Sequence, residues 1–288
     1  MRIAFQGAPG AYSEMAAQRG WPGVETVPCE QFEDVFASVA QGRTSHGLLP
    51  IENSIGGSIH KNYDLLLEHD LPIVAETELQ VVHHLAALPG TELSQIRRVC
   101  SHPQALAQCE VFLRNLPNVE IVATYDTAGS AQLIRDQKLT DTAAIASARA
   151  AEIFGLAVLK SGIQDYRDNI TRFLLVARDP QPLATADKTS VVFALPNAPG
   201  ALFKALSVFA LRDIDLTKLE SRPMRGRPWE YLFYVDLAAG RTDVRCVRAI
   251  VHLAESARWV KTLGSYARWN EAALKPVTAD ASVDVSAV

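Results

Sequence analysis

Residues 71–88, LPIVAETELQVVHHLAAL, form a long apolar stretch with β-branched residues between two runs of alternating strand and helix patterns. On its N-terminal side short apolar runs alternate with helical patterns. A strand at 3–6 precedes a helix from Ala11, a strand at 24–27 precedes a helix over 32–40, and a third run covers 46–51. On its C-terminal side the rhythm resumes with a strand at 98–101, a helix over 103–114, a strand at 119–123, a helix after Asp126 and a strand at 143–146. Such alternation predicts βαβ units, hence an α/β protein with largely parallel or mixed sheets covered by helices. Residues 71–88 then cross from one α/β lobe to a second, and a return crossing falls near 163–177. Two lobes joined by two crossings enclose a cleft, the usual place for a small ligand.

Asp179-Pro180-Gln181-Pro182 and the following 184–188 read as a linker, because two prolines in three residues break both helix and central strand. Beyond it come a strand at 190–195, a helix over 200–212, strands at 215–222 and 230–237, a helix over 244–257 and a strand at 259–266. That βαββαβ order predicts a ferredoxin-like unit. The expected division is therefore 1–179, with lobes of roughly 1–75 plus 160–179 and of 76–159, then 189–268 as a second domain. Residues 269–288, rich in Ala, Val, Asp and Ser without a period, are expected to be a disordered tail.

The 288 residues are 48% hydrophobic and 21% charged with a net charge of -4, ordinary globular proportions. The charges are scattered, so no nucleic-acid or membrane partner is expected, and a small molecule is the better default. No apolar run reaches the roughly 20 residues that span a bilayer, and nothing at Met1 has the form of a secretory signal, which together predict a cytoplasmic location. Cys29, Cys100, Cys109 and Cys246 lack CxxC spacing and read as reduced thiols. Neighbouring His83 and His84 would point to opposite faces of a strand, so neither a metal nor another cofactor is expected.

Four polar clusters stand at strand ends. Residues 6–14, QGAPGAYSE, make a glycine-containing turn into a helix start, where Ser13 and the backbone amides suit an anion or Ser13 simply caps the helix. Residues 50–58, PIENSIGGS, set Glu52, Asn53 and Ser54 beside glycines at the end of a strand, where ligands of open α/β sheets sit. Glu52 is equally suited to neutralising Lys61. Ser101-His102-Pro103-Gln104 with Gln108 places two amides on one helix face, with His102 a capping, core or catalytic residue. Residues 166–173, YRDNITRF, lead into the apolar run 174–177, and there Thr171 by itself is an ordinary strand-entry threonine.

In this order and at these separations, the clusters resemble the prephenate dehydratases, with residues 50–57, 101–109 and 169–173 the most specific elements. The similarity covers residues 1 to about 178. It implies a two-lobed, periplasmic-binding-protein-like catalytic part. The unit after the linker resembles an ACT regulatory domain. Asn197, Gly200, Ala201, Leu202 and Phe203 match its effector loop, and Glu220, Ser221 and Arg222 its companion motif. The resemblance implies that these bind L-phenylalanine at a contact between subunits of a homodimer or homotetramer. Since the pattern begins at Met1, a form without a fused chorismate mutase is expected.

The implied reaction is loss of carbon dioxide and water from prephenate, a lyase reaction that yields phenylpyruvate for phenylalanine biosynthesis. Aromatisation drives it, so the enzyme must orient the substrate and assist departure of hydroxide. The resemblance gives the leaving-group role to Thr171, with Glu52 in a proton relay. Ser13, Asn53, Ser54, Ser101, Gln104 and Gln108 are expected to donate to substrate oxygens. Arg172 suits a carboxylate, although strand alternation would turn it away from Thr171. The same clusters fit the aminated substrate, as in an arogenate dehydratase. A cleft of Ser, Thr, Asn and Gln also suits a non-catalytic two-lobed sensor.

Overall fold

The computed structural model describes residues 1–179, 184–224, 226–227 and 229–270. The first lobe comprises β1 (Arg2–Gln6), α1 (Tyr12–Gly20), β2 (Glu25–Cys29), α2 (Phe32–Ala40), β3 (His46–Asn53), β4 (Gly57–Ser58), α3 (His60–Glu68) and β5 (Ile73–Gln80). The second comprises β6 (His84–Ala87), β7 (Arg98–Ser101), α4 (Pro103–Ala107), α5 (Glu110–Arg114), β8 (Glu120–Ala123), α6 (Thr127–Gln137), β9 (Thr142–Ala146), α7 (Ala148–Ile153) and β10 (Ala157–Ser161). The chain then returns as β11 (Ile170–Ala177) and ends in β12 (Lys188–Ala194), α8 (Ala201–Ala210), β13 (Leu216–Pro223), β14 (Tyr231–Leu237), α9 (Val244–Ser256) and β15 (Trp259–Tyr266).

The stretch 71–88 is two strands in different sheets, β5 and β6, separated by Val81–His83 (81–83). The crossing therefore lies at 81–83 and not near residue 75, because β5 stays hydrogen-bonded to β11 along its length. The sheets are mixed, with parallel βαβ strands in each lobe. β1 runs parallel to β2 and β3, and β7 to β8 and β9, whereas β11 runs antiparallel to β3 and β5, and β6 antiparallel to β9 and β10. The strands that enter each lobe from the other, β6 and β11, run against its βαβ strands, while β5 and β10 run with them. The helix expected over 103–114 is broken into α4 and α5 at Gln108 and Cys109. There the Gln108 carbonyl accepts from Asp165 N, and the Asp165 carboxylate accepts from Val111 N.

Apolar spacing fixes how the layers pack. Phe32, Val35, Phe36 and Val39 fall on one face of α2, and the last three are fully buried against β1 and β3. In the C-terminal unit Val191, Phe193, Val235 and Leu237 face α8 and α9. Val192, Ala194, Tyr234, Leu263 and Tyr266 face the opposite way and share a core with Leu49, Ile51, Tyr63 and Leu66 of the first lobe. The linker thus does not mark a break in packing. β15 pairs with β5 in parallel through Gly264 and Ile73, giving the order β13-β14-β12-β15-β5-β11-β3-β1-β2. A Cβ on Gly264 would lie 2.1 Å from the Ile73 carbonyl oxygen, so glycine is what permits that approach. Lys188, assigned to the linker by sequence, opens β12 and is buried with its ammonium 2.6 Å from Glu76. Residues 180–183 of the linker and 271–288 of the expected tail lie outside the described residues.

Candidate active site

The ends of β1, β3 and β11 meet the start of α4 and the segment before α6 across a cavity of about 430 Å³ between the lobes. That volume suits a small ligand. The N-termini of α1 and α6 both open onto it, through Tyr12 and Ser13 on one side and Asp126 and Thr127 on the other. The macrodipole of α1, which has no side-chain cap, favours an anion there, whereas the N-terminus of α6 is capped by the Asp126 carboxylate, which accepts from Gly129 N. Lys61 adds a cation, paired at 2.9 Å with Glu33 and half-exposed.

At the floor of the cavity a chain of amides has its direction set by the backbone. Ile55 N and Gly56 N, which can only donate, lie 3.1 and 2.7 Å from Asn53 Oδ1. Asn53 Nδ2 must therefore donate, to Asn169 Oδ1 at 2.6 Å and to Thr171 Oγ1 at 2.9 Å. Asn169 Nδ2 in turn donates to Gln108 Oε1 at 2.9 Å, and Gln108 Nε2 points back toward Asn53 Oδ1 at 3.4 Å. His83 Nε2 is 2.9 Å from the same Gln108 Oε1. Since Thr171 Oγ1 already accepts from Asn53, its own proton is left to donate. Thr171 is 8% exposed and lines the cavity, which keeps that donor largely out of bulk water.

Of the residues singled out by sequence, Ser13, Asn53, Gln104, Gln108 and Thr171 are brought together around the cavity. Four others are not. Strand alternation puts Asn53 and Glu52 on opposite faces of β3, and Glu52 reaches Lys218 of β13 at 2.7 Å. It neither faces Thr171 nor pairs with Lys61. Arg172, beside Thr171 on β11, likewise faces the C-terminal sheet, where it binds Glu76 and Asp236 at 2.7 and 2.6 Å and Tyr266 Oη at 3.1 Å. Burial alone would lower the Arg172 pKa, but Asp236, Tyr266 and Glu76 carry it upward, and Arg172 is not among the residues that line the cavity. Ser54 is spent on the 168–170 backbone, donating to Asp168 O and accepting from Ile170 N. Ser101 is fully buried and donates to Ile145 O at 2.6 Å.

His102 is the cap of α4, its Nδ1 accepting from Gln104 N at 3.2 Å. Sequence reasoning missed Tyr12, His83, Asn169 and Tyr125. His83 is 1% exposed, and burial, chiefly, holds its pKa below the ordinary value. Tyr12 Oη lies 2.9 Å from His83 Nδ1. Tyr125 reaches from the second lobe to Gln6 and to the Glu30 carbonyl of the first. The signal for His83 was present as a polar residue inside the apolar run 71–88, and Tyr12 and Asn169 stand inside the quoted clusters 6–14 and 166–173, whereas Tyr125 carries none.

In the C-terminal unit Gly200 has φ +74° and caps α8, while Asn197 and Phe203 are exposed, the latter by 77%. Along β13 exposure alternates, so that Lys218, Glu220 and Arg222 face the first lobe. Glu220 binds Ser58 at 2.5 Å and His60 at 3.2 Å, and Arg222 binds Asp64 at 2.8 Å. Glu220 and Arg222 are thus held by the first lobe and not turned toward the 197–203 loop, leaving Ser221 on the other side of the strand.

The family model for prephenate dehydratase matches residues 3–181. The chain is 50% identical over 277 residues to arogenate dehydratase/prephenate dehydratase 2 of Arabidopsis thaliana, covering 92% of this chain and 72% of that protein. Among solved structures it resembles a prephenate dehydratase from Arthrobacter aurescens in complex with L-Phe (TM-score 0.84, 35% identity, 93% of this chain and 90% of that one). It also resembles GqqA, described as a quorum-quenching acylase (TM-score 0.86, 35% identity, 93% and 98%). The expected cytoplasmic location does not stand, because similar Arabidopsis proteins bear names that place them in the chloroplast. The shared lobes are buried cores and a cleft, which carry no address of their own. A match over more than half of the chain, taking in both lobes and the whole amide chain, makes this protein a member of the prephenate dehydratase family and a carbon–oxygen lyase.

Proposed function

We propose that the chain converts prephenate to phenylpyruvate, carbon dioxide and water, with Thr171 as the donor to the departing hydroxyl. The observation that carries this is the direction of the Asn53–Thr171 hydrogen bond, in which Thr171 Oγ1 accepts, so that its own proton is left for the cavity. Prephenate is a dianion with a hydroxyl opposite its quaternary carbon. The bond to the ring carboxylate breaks and releases carbon dioxide, its electron pair moves into the ring, and the carbon–oxygen bond to the hydroxyl breaks. A donor held in place strengthens its bond as charge grows on that oxygen, so it lowers the barrier more than it tightens substrate binding. Water supplies the proton that completes the leaving water, since Glu52 lies on the other face of β3. The amides of Asn53, Gln104 and Gln108 orient the substrate without over-stabilising the carboxylate that must leave, and Ser13, Lys61 and the N-terminus of α1 suit the retained carboxylate. Appearance of phenylpyruvate absorbance from prephenate tests the proposal, and its absence at micromolar enzyme rejects it.

A second substrate, arogenate, is favoured by relatives named arogenate dehydratases. The ratio of kcat/KM on the two substrates decides between them.

Residues 1–179 form the catalytic part in this proposal, and 189–268 an ACT-like regulatory part that binds L-phenylalanine between copies of a homodimer or homotetramer. The L-Phe complex of the Arthrobacter aurescens relative supports this. Inhibition requires phenylalanine to bind the less active arrangement more tightly. The grip of β13 on Glu52 and Ser58, next to Asn53, offers the route. Equal turnover with and without saturating phenylalanine counts against it.

A further inference from the structure

We infer that His83 is a positioning residue of the dehydration site, holding the Gln108 amide in the one orientation that the donor chain to Thr171 requires; this rests on the proposed dehydratase reading of the cleft. His83 sits at the crossing between the lobes. Its backbone N–H donates to Gln164 Oε1 at 3.1 Å, and its carbonyl accepts from Ile163 N at 3.0 Å, so the outgoing and returning crossings are tied together at this residue. Its ring is fixed from both sides, by Gln108 at Nε2 and by Tyr12 at Nδ1.

The backbone amides at Asn53 orient Asn53, Asn169 and Gln108 in turn, and this makes Gln108 Oε1 the acceptor for two donors, Asn169 Nδ2 and His83 Nε2. His83 therefore carries its proton on Nε2 in the neutral ring, and the one Tyr12 hydroxyl proton is divided between the Val82 carbonyl at 2.8 Å and the bare Nδ1 at 2.9 Å. A Gln108 side chain turned by 180° would set its NH₂ group against two N–H donors at once. It would also withdraw Nε2 from Asn53 Oδ1 and present a carbonyl there in its place. Removing His83 leaves a single donor opposing that turn. The loss would be felt at Thr171, four hydrogen bonds away through Gln108, Asn169 and Asn53.

A histidine that merely fills space would behave differently from one that acts through Gln108. In His83→Leu we expect kcat to fall by about 10- to 100-fold, the effect of one lost orienting hydrogen bond, with KM less affected. His83→Gln, which can put an N–H donor near the Nε2 position, recovers most of the loss. In a Gln108→Leu background the further change His83→Leu costs little, because the group it holds is gone. Nitrogen-15 spectra of histidine-labelled protein show His83 protonated at Nε2 and bare at Nδ1 near neutral pH, a readout that also serves if His83→Leu fails to fold. The Nδ1–H tautomer, undiminished turnover of His83→Leu, or the same fold-loss with and without Gln108 each overturns the inference. Wild-type protein that turns over neither prephenate nor arogenate sinks the underlying dehydratase reading instead.

Discussion

At the residue scale, what distinguishes Thr171 from a buried strand threonine is which of its hydrogen bonds is already used. Asn53 donates to it, so substitutions at either end should have matched effects. Thr171→Ala removes the donor and is expected to lower kcat by about 10²- to 10³-fold with little change in KM, as for other preorganised donors to a developing oxyanion. Thr171→Ser should retain more activity than Thr171→Ala. Asn53→Asp should approach the alanine loss, because a carboxylate would capture the Thr171 proton; steady-state kinetics on all three variants check the set. Glu52→Gln is a contrasting case. Its partner is Lys218 and not the cleft, so kcat should fall by less than about tenfold, whereas loss of a general acid would cost 10²- to 10⁴-fold.

Elements, more than single residues, explain why neighbouring side chains of one motif have unrelated jobs. On β11 the period of two sends Thr171 to the cleft and Arg172 into a buried network with Glu76, Asp236 and Lys188. Arg172→Met would strand Asp236 and half of Glu76, and a destabilisation of about 3–5 kcal/mol is expected by urea unfolding. The same alternation on β13 aims Lys218, Glu220 and Arg222 at the first lobe. Burial alone would raise the Glu220 carboxyl, but the Ser58 hydroxyl, the charge on Lys218 and His60 bring it below its ordinary 4.5. A carboxyl with a depressed folded-state pKa stabilises the fold above its unfolded value and loses that contribution as pH falls through the lower one. The stability margin of the wild type over Glu220→Gln should therefore be present at pH 7 and shrink as pH falls below about 4.5. A margin that grows on acidification would refute the assignment.

Across the whole molecule, two joints set the geometry of the cleft. At one, Gly10 has φ +86° and its carbonyl accepts from Ser147 of the second lobe at 2.7 Å, while an added Cβ would lie 2.6 Å from Ala150 Cα. Gly10→Ala should cost about 1–3 kcal/mol in unfolding free energy and open the lobes, raising KM. At the other joint, the C-terminal sheet shares a core with the first lobe, so ligand binding there is felt by β3 and β11. If L-phenylalanine is the effector, at 100 times its Kd it should stabilise the folded protein by about 2.7 kcal/mol, visible as a rise in Tm, while turnover falls.

Much of this architecture was legible in order along the chain. The helix over 32–40 and the strand at 259–266 stand where apolar period and turn residues put them, because those signals are local. Clusters at strand ends marked Asn53, Gln104, Gln108 and Thr171 for the same reason. What sequence did not carry was which face a strand turns to which neighbour. Glu52 and Arg172 read as site residues from their adjacency to Asn53 and Thr171, yet adjacency on a strand means opposite faces, and only the packed sheet decides which face meets the cleft. His83 and Asn169 entered the site because the crossings bring them to Gln108, a contact between residues far apart in the chain. The sequence by itself determined the α/β rhythm, the family and the residue types of the cleft. The tertiary structure alone decided the direction of the amide chain and the union of two units into one core, since both depend on long-range contacts that no local period encodes.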